Sequence, residues 1–530
     1  MAKPDLNSGP LIRLLRLKID RYRNVAPGTE LRFNHGLNVL LGKNGTGKTT
    51  LLNLIAACLR GDFSSYRRED FALEYELGTD DWTLTVAIRN HRRPGVSRPL
   101  RSRAFSHQVE AHENFATVIV RHCQLSAIYT LYAGTSLSST ELGEEPFEIR
   151  LDTSCVEPSF LSDAITTLAG CIERYVDKSL GALERLDEAA VVELFSSAGA
   201  REYEKTLTYL DEKYSDDPRG FVRDLNRRGY VEKLASIDTK FEPVLFFTKY
   251  MDHLQALAMG LESLIANTCR FDESLEVFRR ITYAPDRGPA RERGPSCTIV
   301  RDEPDAAAED SGLFRPTVDR ALLPKSISHK VLQAATADLD LRELRLDEHD
   351  LELLARLVQL FEIERAELRI ERLGRQITAR GESTSFGHLK FEFTRRDGSV
   401  IHHDHLSNGQ KRLLTFLYCV AANEHVVIAD ELVNGLHHGW ITTCVRVFGE
   451  RQAFVTSQNP LLFDYLEFDE VDQVARSFIL CRLTREREGS ERVERMDWQN
   501  LQRRDAETFY TAYKFGNQHI GVLLRTLGLW

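Results

Sequence analysis

Three short stretches, far apart in a chain of 530 residues, carry the groups that could do chemistry. The first is GKNGTGKT at 42–49, which fits G-x-x-x-x-G-K-[ST] in full. Gly42, Gly45 and Gly47 let the backbone curl so that N–H groups point inward at phosphate oxygens. Lys48 then reaches the outer phosphates, and the Thr49 hydroxyl suits Mg²⁺. The second stretch is EHVVIADELVNGLHHGW, with its adjacent carboxylates Asp430 and Glu431. Carboxylates at the C-terminal end of a buried strand stand where α/β sheets bind ligand. There Asp430 is a candidate Mg²⁺ ligand and Glu431 a candidate general base for an attacking water. The third is LSNGQKR at 406–412, which runs into the apolar segment LLTFLYCVAA. Ser407, Gly409 and the free N–H groups of a starting helix form an anion site. A plain helix cap made by Ser407 or Asn408 is the alternative.

These groups need elements to hold them. The apolar run Leu37–Leu41 predicts a buried strand, and TLLNLIAACL predicts a helix with Leu51, Leu52, Ile55 and Leu59 on one side. Strand, glycine loop, helix is the order a phosphate cradle requires. Val426–Ala429 predicts a second buried strand, and QAFVTS a third that leads into QNPLLFDYL.

With these motifs in this order, the chain resembles an ABC-type P-loop ATPase of the SMC-like and RecF-like branch. More narrowly it resembles the bacterial ATPases grouped with OLD-type proteins and the ATPase subunits of anti-phage systems such as Septu, PARIS and Gabija. LKIDRYRNV and GLNVLLGKNGTGKTTLL match that group's first strands and cradle, LSNGQKRLL its signature, and ADELVNGLHHGW its pattern of DE, Asn and Leu-His. The resemblance covers residues 11–60 and 388–466 and leaves out the middle.

The resemblance implies ATP and Mg²⁺ as cofactors. One chain contributes Gly42, Asn44, Gly45, Gly47, Lys48, Thr49 and Thr50 to the nucleotide, and a second copy contributes Ser407, Gly409 and Gln410. Two chains then sandwich two nucleotides in a two-fold dimer or a higher homo-oligomer. The implied catalytic set is Glu431, Lys48 and Gln458, and the implied metal set is Thr49, Asp430 and Gln124. Relatives commonly carry His where Gln458 stands. Glutamine can donate through its amide but carries no charge, so slow turnover or ATP holding is expected. Gln124, after FATVIV, is the candidate for the loop glutamine that reaches Mg²⁺, with a surface glutamine as the alternative. His437 and His438 lack a third ligand in view and predict an interface turn rather than a metal site.

The implied role is that of a sensor or regulatory subunit in bacterial antiviral defence, with a separate effector protein, a nuclease or toxin. Two alternatives stand beside it: a RecF-like or SMC-like repair ATPase that clamps DNA, and a scaffold that uses ATP mainly to assemble. Nucleic acid is a candidate partner. The net charge of −10 argues against bulk electrostatic binding to it, while RNHRRPGVSRPLRSR supplies Arg89, Arg92, Arg93, Arg98, Arg101 and Arg103 as a local basic patch or a solvated hairpin loop.

The expected fold class is α/β: an ATPase head assembled from both chain ends, with a flanking antiparallel sheet and a central α-helical insertion. Residues 1–150 form its N-terminal half, 151–385 the insertion and 386–530 the C-terminal half. FALEYELG, DWTLTVAIRN and FATVIV alternate as the flanking sheet should. Within the insertion, Phe247, Tyr250, Leu254, Leu257, Leu261 and Leu264 make a helical core stripe. The Pro-, Gly- and charge-rich segment at 284–328 predicts a flexible loop, and residues 346–377 a charged helix. Asp397-Gly398 predicts a hairpin turn, FILCRLTR a late strand, and the C-terminal 26 residues one or two helices. Nine scattered cysteines without CxxC spacing suit a reducing compartment, and no run of 18 apolar residues predicts a membrane span, so the expected location is cytoplasmic.

Overall fold

The computed structural model describes residues 11–92 with gaps at 67 and 80–81, four strand segments within 112–153, and a few residues between 257 and 272. It also describes residues 295–302 and 317–529, with gaps at 379–380, 489–490 and 517. The chain divides into two compact units, one made of residues 1–10 and 159–262 and the other of 11–158 and 263–530. In the first, Leu257 and Leu261 are buried, as the helical stripe predicts. Phe247, Tyr250 and Leu254 lie outside the described residues, as does most of the expected helical insertion. The second unit holds all the elements that follow.

In chain order, β1 (Arg13–Tyr22), β2 (Thr29–Arg32) and β3 (Leu37–Leu41) lead into α1 (Lys48–Arg60). Six strands follow: β4 (Phe71–Gly78), β5 (Trp82–Arg92), β6 (His112–His122), β7 (Ile128–Tyr132), β8 (Thr135–Ser139) and β9 (Phe147–Thr153). Then come β10 (Ser296–Asp302), β11 (Thr317–Ala321), α2 (Lys325–Ala337), β12 (Glu343–Asp347) and α3 (Glu352–Phe361). A long hairpin, β13 (Arg365–Thr378) and β14 (Gly381–Thr394), is followed by β15 (Val400–His402). The C-terminal portion holds α4 (Asn408–Ala422), β16 (Val426–Ala429), α5 (His438–Val447), β17 (Gln452–Thr456) and α6 (Val471–Ser477). It ends with β18 (Phe478–Glu488), β19 (Glu491–Asn500), α7 (Arg503–Lys514) and α8 (Ile520–Thr526).

The central sheet has the order β16-β17-β3-β18-β19. Its first four strands run parallel and β19 is antiparallel to β18. β16 is apolar throughout, and β3 and β17 are apolar apart from the buried Asn38, Gln452 and Thr456, because both faces of a parallel sheet are covered. A flanking sheet, β2-β1-β4-β5-β6-β9-β7-β8, is antiparallel throughout apart from the β7–β9 pair. Two buried polar residues near β16 and β17 stitch the flanking sheet to the central one. Gln452, fully buried, accepts from the Leu14 N–H at 2.8 Å and donates to the carbonyls of Leu14 and Asn34, each at 2.8 Å. His425 Nδ1 accepts from the Ile12 N–H at 3.1 Å.

The head is thus α/β and built from both chain ends, with the flanking antiparallel sheet expected. Two expectations need correction. Residues 346–377 are not one helix: they hold the end of β12, the helix α3 and nearly all of β13. The reason lies in RAELRIERLGRQIT, where Ala366, Leu368 and Ile370 are fully buried and alternate with charged residues, a strand period of two. Those charges pair across strands, Arg369 with Glu392 at 3.0 Å and Lys390 with Glu371 at 2.5 Å. The segment 284–328 is likewise not loop throughout, because β10 and β11 pair within it and α2 begins there. Together β10–β15 form a third sheet, so the described residues within 296–385 of the expected helical insertion are mixed α/β. The Asp397-Gly398 turn is as predicted: the Gly398 N–H donates to the Arg395 carbonyl, and Gly398 has φ +77°.

Candidate functional site

The cradle hangs from the end of β3. Two of its glycines have steric reasons to be glycine. A Cβ on Gly42, whose φ is +154°, would lie 2.2 Å from the Cys481 carbonyl oxygen on β18. A Cβ on Gly47, φ +86°, would lie 2.3 Å from Met496 Sδ and 3.0 Å from the Trp498 ring on β19. Trp498, buried, also donates its indole N–H to the Thr46 carbonyl at 3.2 Å. The β18–β19 hairpin therefore forms one wall of the loop. Gly47 caps α1 with no side chain and no acidic residue follows in the first turn, so the helix start keeps its positive end. Lys48 Nζ donates to the carbonyls of Gly42 at 2.7 Å and Lys43 at 3.0 Å, which curls the ammonium back over the loop.

The acidic end of β16 meets the cradle directly. Thr49 Oγ1 donates to Asp430 Oδ2 at 2.7 Å, joining residues 381 positions apart in the sequence. β17 stands between β3 and β16, which puts its last residue between the cradle and the acidic end. That residue is Thr456, fully buried. Its hydroxyl donates to Asp430 Oδ1 and accepts the Glu431 backbone N–H at 2.7 Å, so one side chain sets both acidic residues. Glu431 takes a left-handed backbone, φ +50°. Its carboxylate accepts Gln458 Nε2 at 3.0 Å on Oε1 and Asn434 Nδ2 at 2.9 Å on Oε2. Gln458 Nε2 also lies 3.4 Å from Asn44 Oδ1 on the cradle.

LSNGQKR starts α4, as its composition predicts. Ser407 is the N-cap of a capping box: Gln410 N–H donates to Ser407 Oγ at 3.3 Å, and Ser407 N–H donates to Gln410 Oε1 at 3.1 Å. The cap and an anion site are compatible, because a hydroxyl that accepts one bond still has a proton to donate. Ser407 and Asn408 are exposed. A Cβ on Gly409 would sit 2.9 Å from the Gly435 carbonyl oxygen, so the helix start packs closely on the turn after Glu431. Farther along α4, Arg412 donates to the carbonyls of Asp430, Glu431 and Leu432 and lies over the Phe271 ring at 4.8 Å. Burial lowers the Arg412 pKa, while the nearby Glu431 and Asp430 oppose that shift. Among the described residues no hydrogen bond joins 406–410 to 42–50.

The structure therefore brings together Asn44, Lys48, Thr49, Asp430, Glu431 and Gln458, while Ser407 is exposed and Gly409 and Gln410 are half-buried at the start of α4, against the turn after Glu431. Gln124 lies outside the described residues, as do Arg93, Arg98, Arg101 and Arg103 of the basic run. His437 caps α5 through Nδ1, which accepts the Gly439 N–H at 3.2 Å. Among the described residues no group of three or more His, Cys, Asp and Glu could hold a metal ion, and no helix is long and apolar enough to cross a membrane. Sequence reasoning gave no role to Thr456, Asn434, Arg412 or Trp498. The first three lie inside segments it had singled out, but only three-dimensional contact assigns them partners.

A glycine cradle on a parallel strand, with two carboxylates from a strand two places away converging on it, defines a P-loop α/β fold. Residues 16–115 match the model of the AAA domain family. DNA replication and repair protein RecF of Actinobacillus succinogenes is 33% identical over 91 residues, 16% of this chain and 25% of that protein. RecF of Glaesserella parasuis serovar 5 is 33% identical over 89 residues, 15% of this chain and 24% of that protein. The match thus spans about a quarter of the length of each of these relatives. Among solved structures, an Smc head domain bound to the C-terminal domain of ScpA, derived from Pyrococcus furiosus, aligns at 10% identity and TM-score 0.27, covering 95% of this chain and all of that one. A recombination mediator protein RecF structure aligns at 13% identity and TM-score 0.26, covering 89% of this chain and 96% of that one. Those two likenesses are too loose to add to the geometry.

Proposed function

We propose that this chain is an ABC-class ATPase of the SMC and RecF type, which binds and hydrolyses ATP and dimerises through it. The observation that carries this most directly is the 2.7 Å contact of Thr49 with Asp430, which joins the cradle and the acidic strand end in one site. Gly42, Asn44, Gly45, Gly47, Lys48 and Thr50 bind the phosphates through backbone N–H groups and the ammonium. Thr49 and Asp430 present hard oxygen donors side by side, the set that Mg²⁺ takes, with Gln124 as a further candidate. When bound, that ion neutralises charge on the phosphate oxygens. Glu431 takes the proton of the attacking water. The water oxygen bonds to the terminal phosphorus, the bond to the bridging oxygen breaks, and ADP leaves with that electron pair. Gln458 links Glu431 to Asn44 and completes the catalytic set.

Exposed Ser407, with half-buried Gly409 and Gln410 beside it, meets the nucleotide held by a second copy in this reading. Such a contact is isologous and gives a two-fold dimer with two nucleotides between the chains. Lys48→Ala is expected to lose nucleotide binding. Glu431→Gln is expected to bind ATP but hydrolyse it about 100-fold more slowly, the scale of a lost general base. Normal hydrolysis by Glu431→Gln would refute the base assignment.

For the role of the cycle, the partial match to RecF supports an ATPase that clamps duplex DNA in repair. The LSNGQKRLL and ADELVNGLHHGW motifs support a regulatory subunit of antiviral defence in the cytoplasm, holding a separate nuclease or toxin. DNA binding that requires ATP and weakens steeply with salt favours the first. A co-purified effector that cuts nucleic acid or is toxic, without such DNA binding by this chain, favours the second.

A further inference from the structure

Glu431 is gripped at both ends of its carboxylate. Gln458 Nε2 donates to Oε1 at 3.0 Å, and Asn434 Nδ2 donates to Oε2 at 2.9 Å. Asn434 reaches it because it closes a tight turn on the same residue: its backbone N–H donates to the Glu431 carbonyl at 3.2 Å. The terminal torsion of a glutamate is broad and roughly two-fold, so an ungripped carboxylate swings freely. One amide on each oxygen fixes the carboxylate plane. A carboxylate offers about four lone-pair positions, so two amide donors leave room for a water.

We propose that Asn434 is a positioning residue for the hydrolytic reaction, presetting the plane in which Glu431 meets the attacking water. This rests on the assignment of Glu431 as the base. Asn434 touches neither the cradle nor Asp430 in the described hydrogen bonds, so it acts through Glu431 and not through nucleotide affinity.

The test is a cycle of Asn434→Ala and Glu431→Gln in the full chain, reading kcat, KM and the affinity for a fluorescent ATP analogue. Asn434→Ala is expected to lower kcat about tenfold, below the 100-fold of a full ångström of misplacement, with affinity unchanged. In the Glu431→Gln background the same substitution should cost nothing more. Asn434→Asp, which removes the donor and sets a like charge against Oε2, should cost more than Asn434→Ala. Unchanged analogue affinity shows that each variant is folded around the site. An additive loss in the double variant, or equal kcat for Asn434→Ala and the parent, overturns the positioning role alone. Normal turnover by Glu431→Gln overturns the base assignment and this inference with it.

Discussion

Thr456→Val is the sharpest probe of how the site is held. The substitution keeps the shape of a fully buried side chain and removes one hydroxyl. That hydroxyl serves two partners, donating to Asp430 Oδ1 and accepting from the Glu431 N–H. The Glu431 N–H then has no acceptor on β17, a loss worth about 1–3 kcal/mol for a buried group. Asp430 keeps Thr49 and is only partly buried, so its lost bond falls at the low end of the about 1.5–3 kcal/mol of a charged hydrogen bond. The sum is about 2.5–4.5 kcal/mol of stability. Freed from Thr456, the Glu431 backbone can shift, and a displacement of a fraction of an ångström should lower kcat by about tenfold or more. Urea denaturation followed by tryptophan fluorescence, alongside steady-state ATPase assays, reads both effects. Thr456→Ser keeps the hydroxyl and should retain most of the activity. Parent-like kcat and denaturation midpoint for Thr456→Val would refute the claim that this hydroxyl organises the acidic pair.

Other outcomes follow from the same contacts. Gly47→Ala forces a methyl against Met496 Sδ and Trp498 on a residue with φ +86° and should weaken nucleotide binding in a titration with labelled ATP; unchanged binding would mean that β19 does not shape the loop. Gly409→Ala must push α4 away from the Gly435 carbonyl, so ATP-dependent dimerisation measured by light scattering should drop while ATP binding to the monomer persists. Gln458→His should change the turnover rate, and an unchanged rate removes Gln458 from the mechanism. Burial holds the His403 imidazole below its ordinary value of 6.5, and its Nδ1 accepts the Phe391 N–H at 3.3 Å. The unfolded chain therefore binds this proton first, so the contribution is whole above 6.5 and is lost as pH falls below it. His403→Phe should reduce the stability lost between about pH 7.5 and about pH 5.5, and an identical loss in parent and variant would show that His403 does not titrate this way.

What could be read in the chain by itself was local. The cradle, its strand and its helix lie within residues 37–60, and their glycines, lysine and apolar runs are adjacent in sequence. The apolar run of β16 with the carboxylates that follow it, the helix cap of α4 and the Asp-Gly hairpin are also short-range patterns, set by backbone sterics and local hydrogen bonds. Residues 346–377 failed because Glu, Arg and Leu favour a helix by propensity, and only pairing of β13 between β12 and β14 made the buried alternation decisive. ERVERMDWQN carries no strong strand signal, yet as β19 it brings Met496 and Trp498 onto Gly47. Thr456 and Asn434 gain their partners only because the sheet order inserts β17 between β3 and β16 and the turn after β16 folds back on Glu431. Sheet order is a property of long-range packing, and no local pattern encodes which strand will lie beside which.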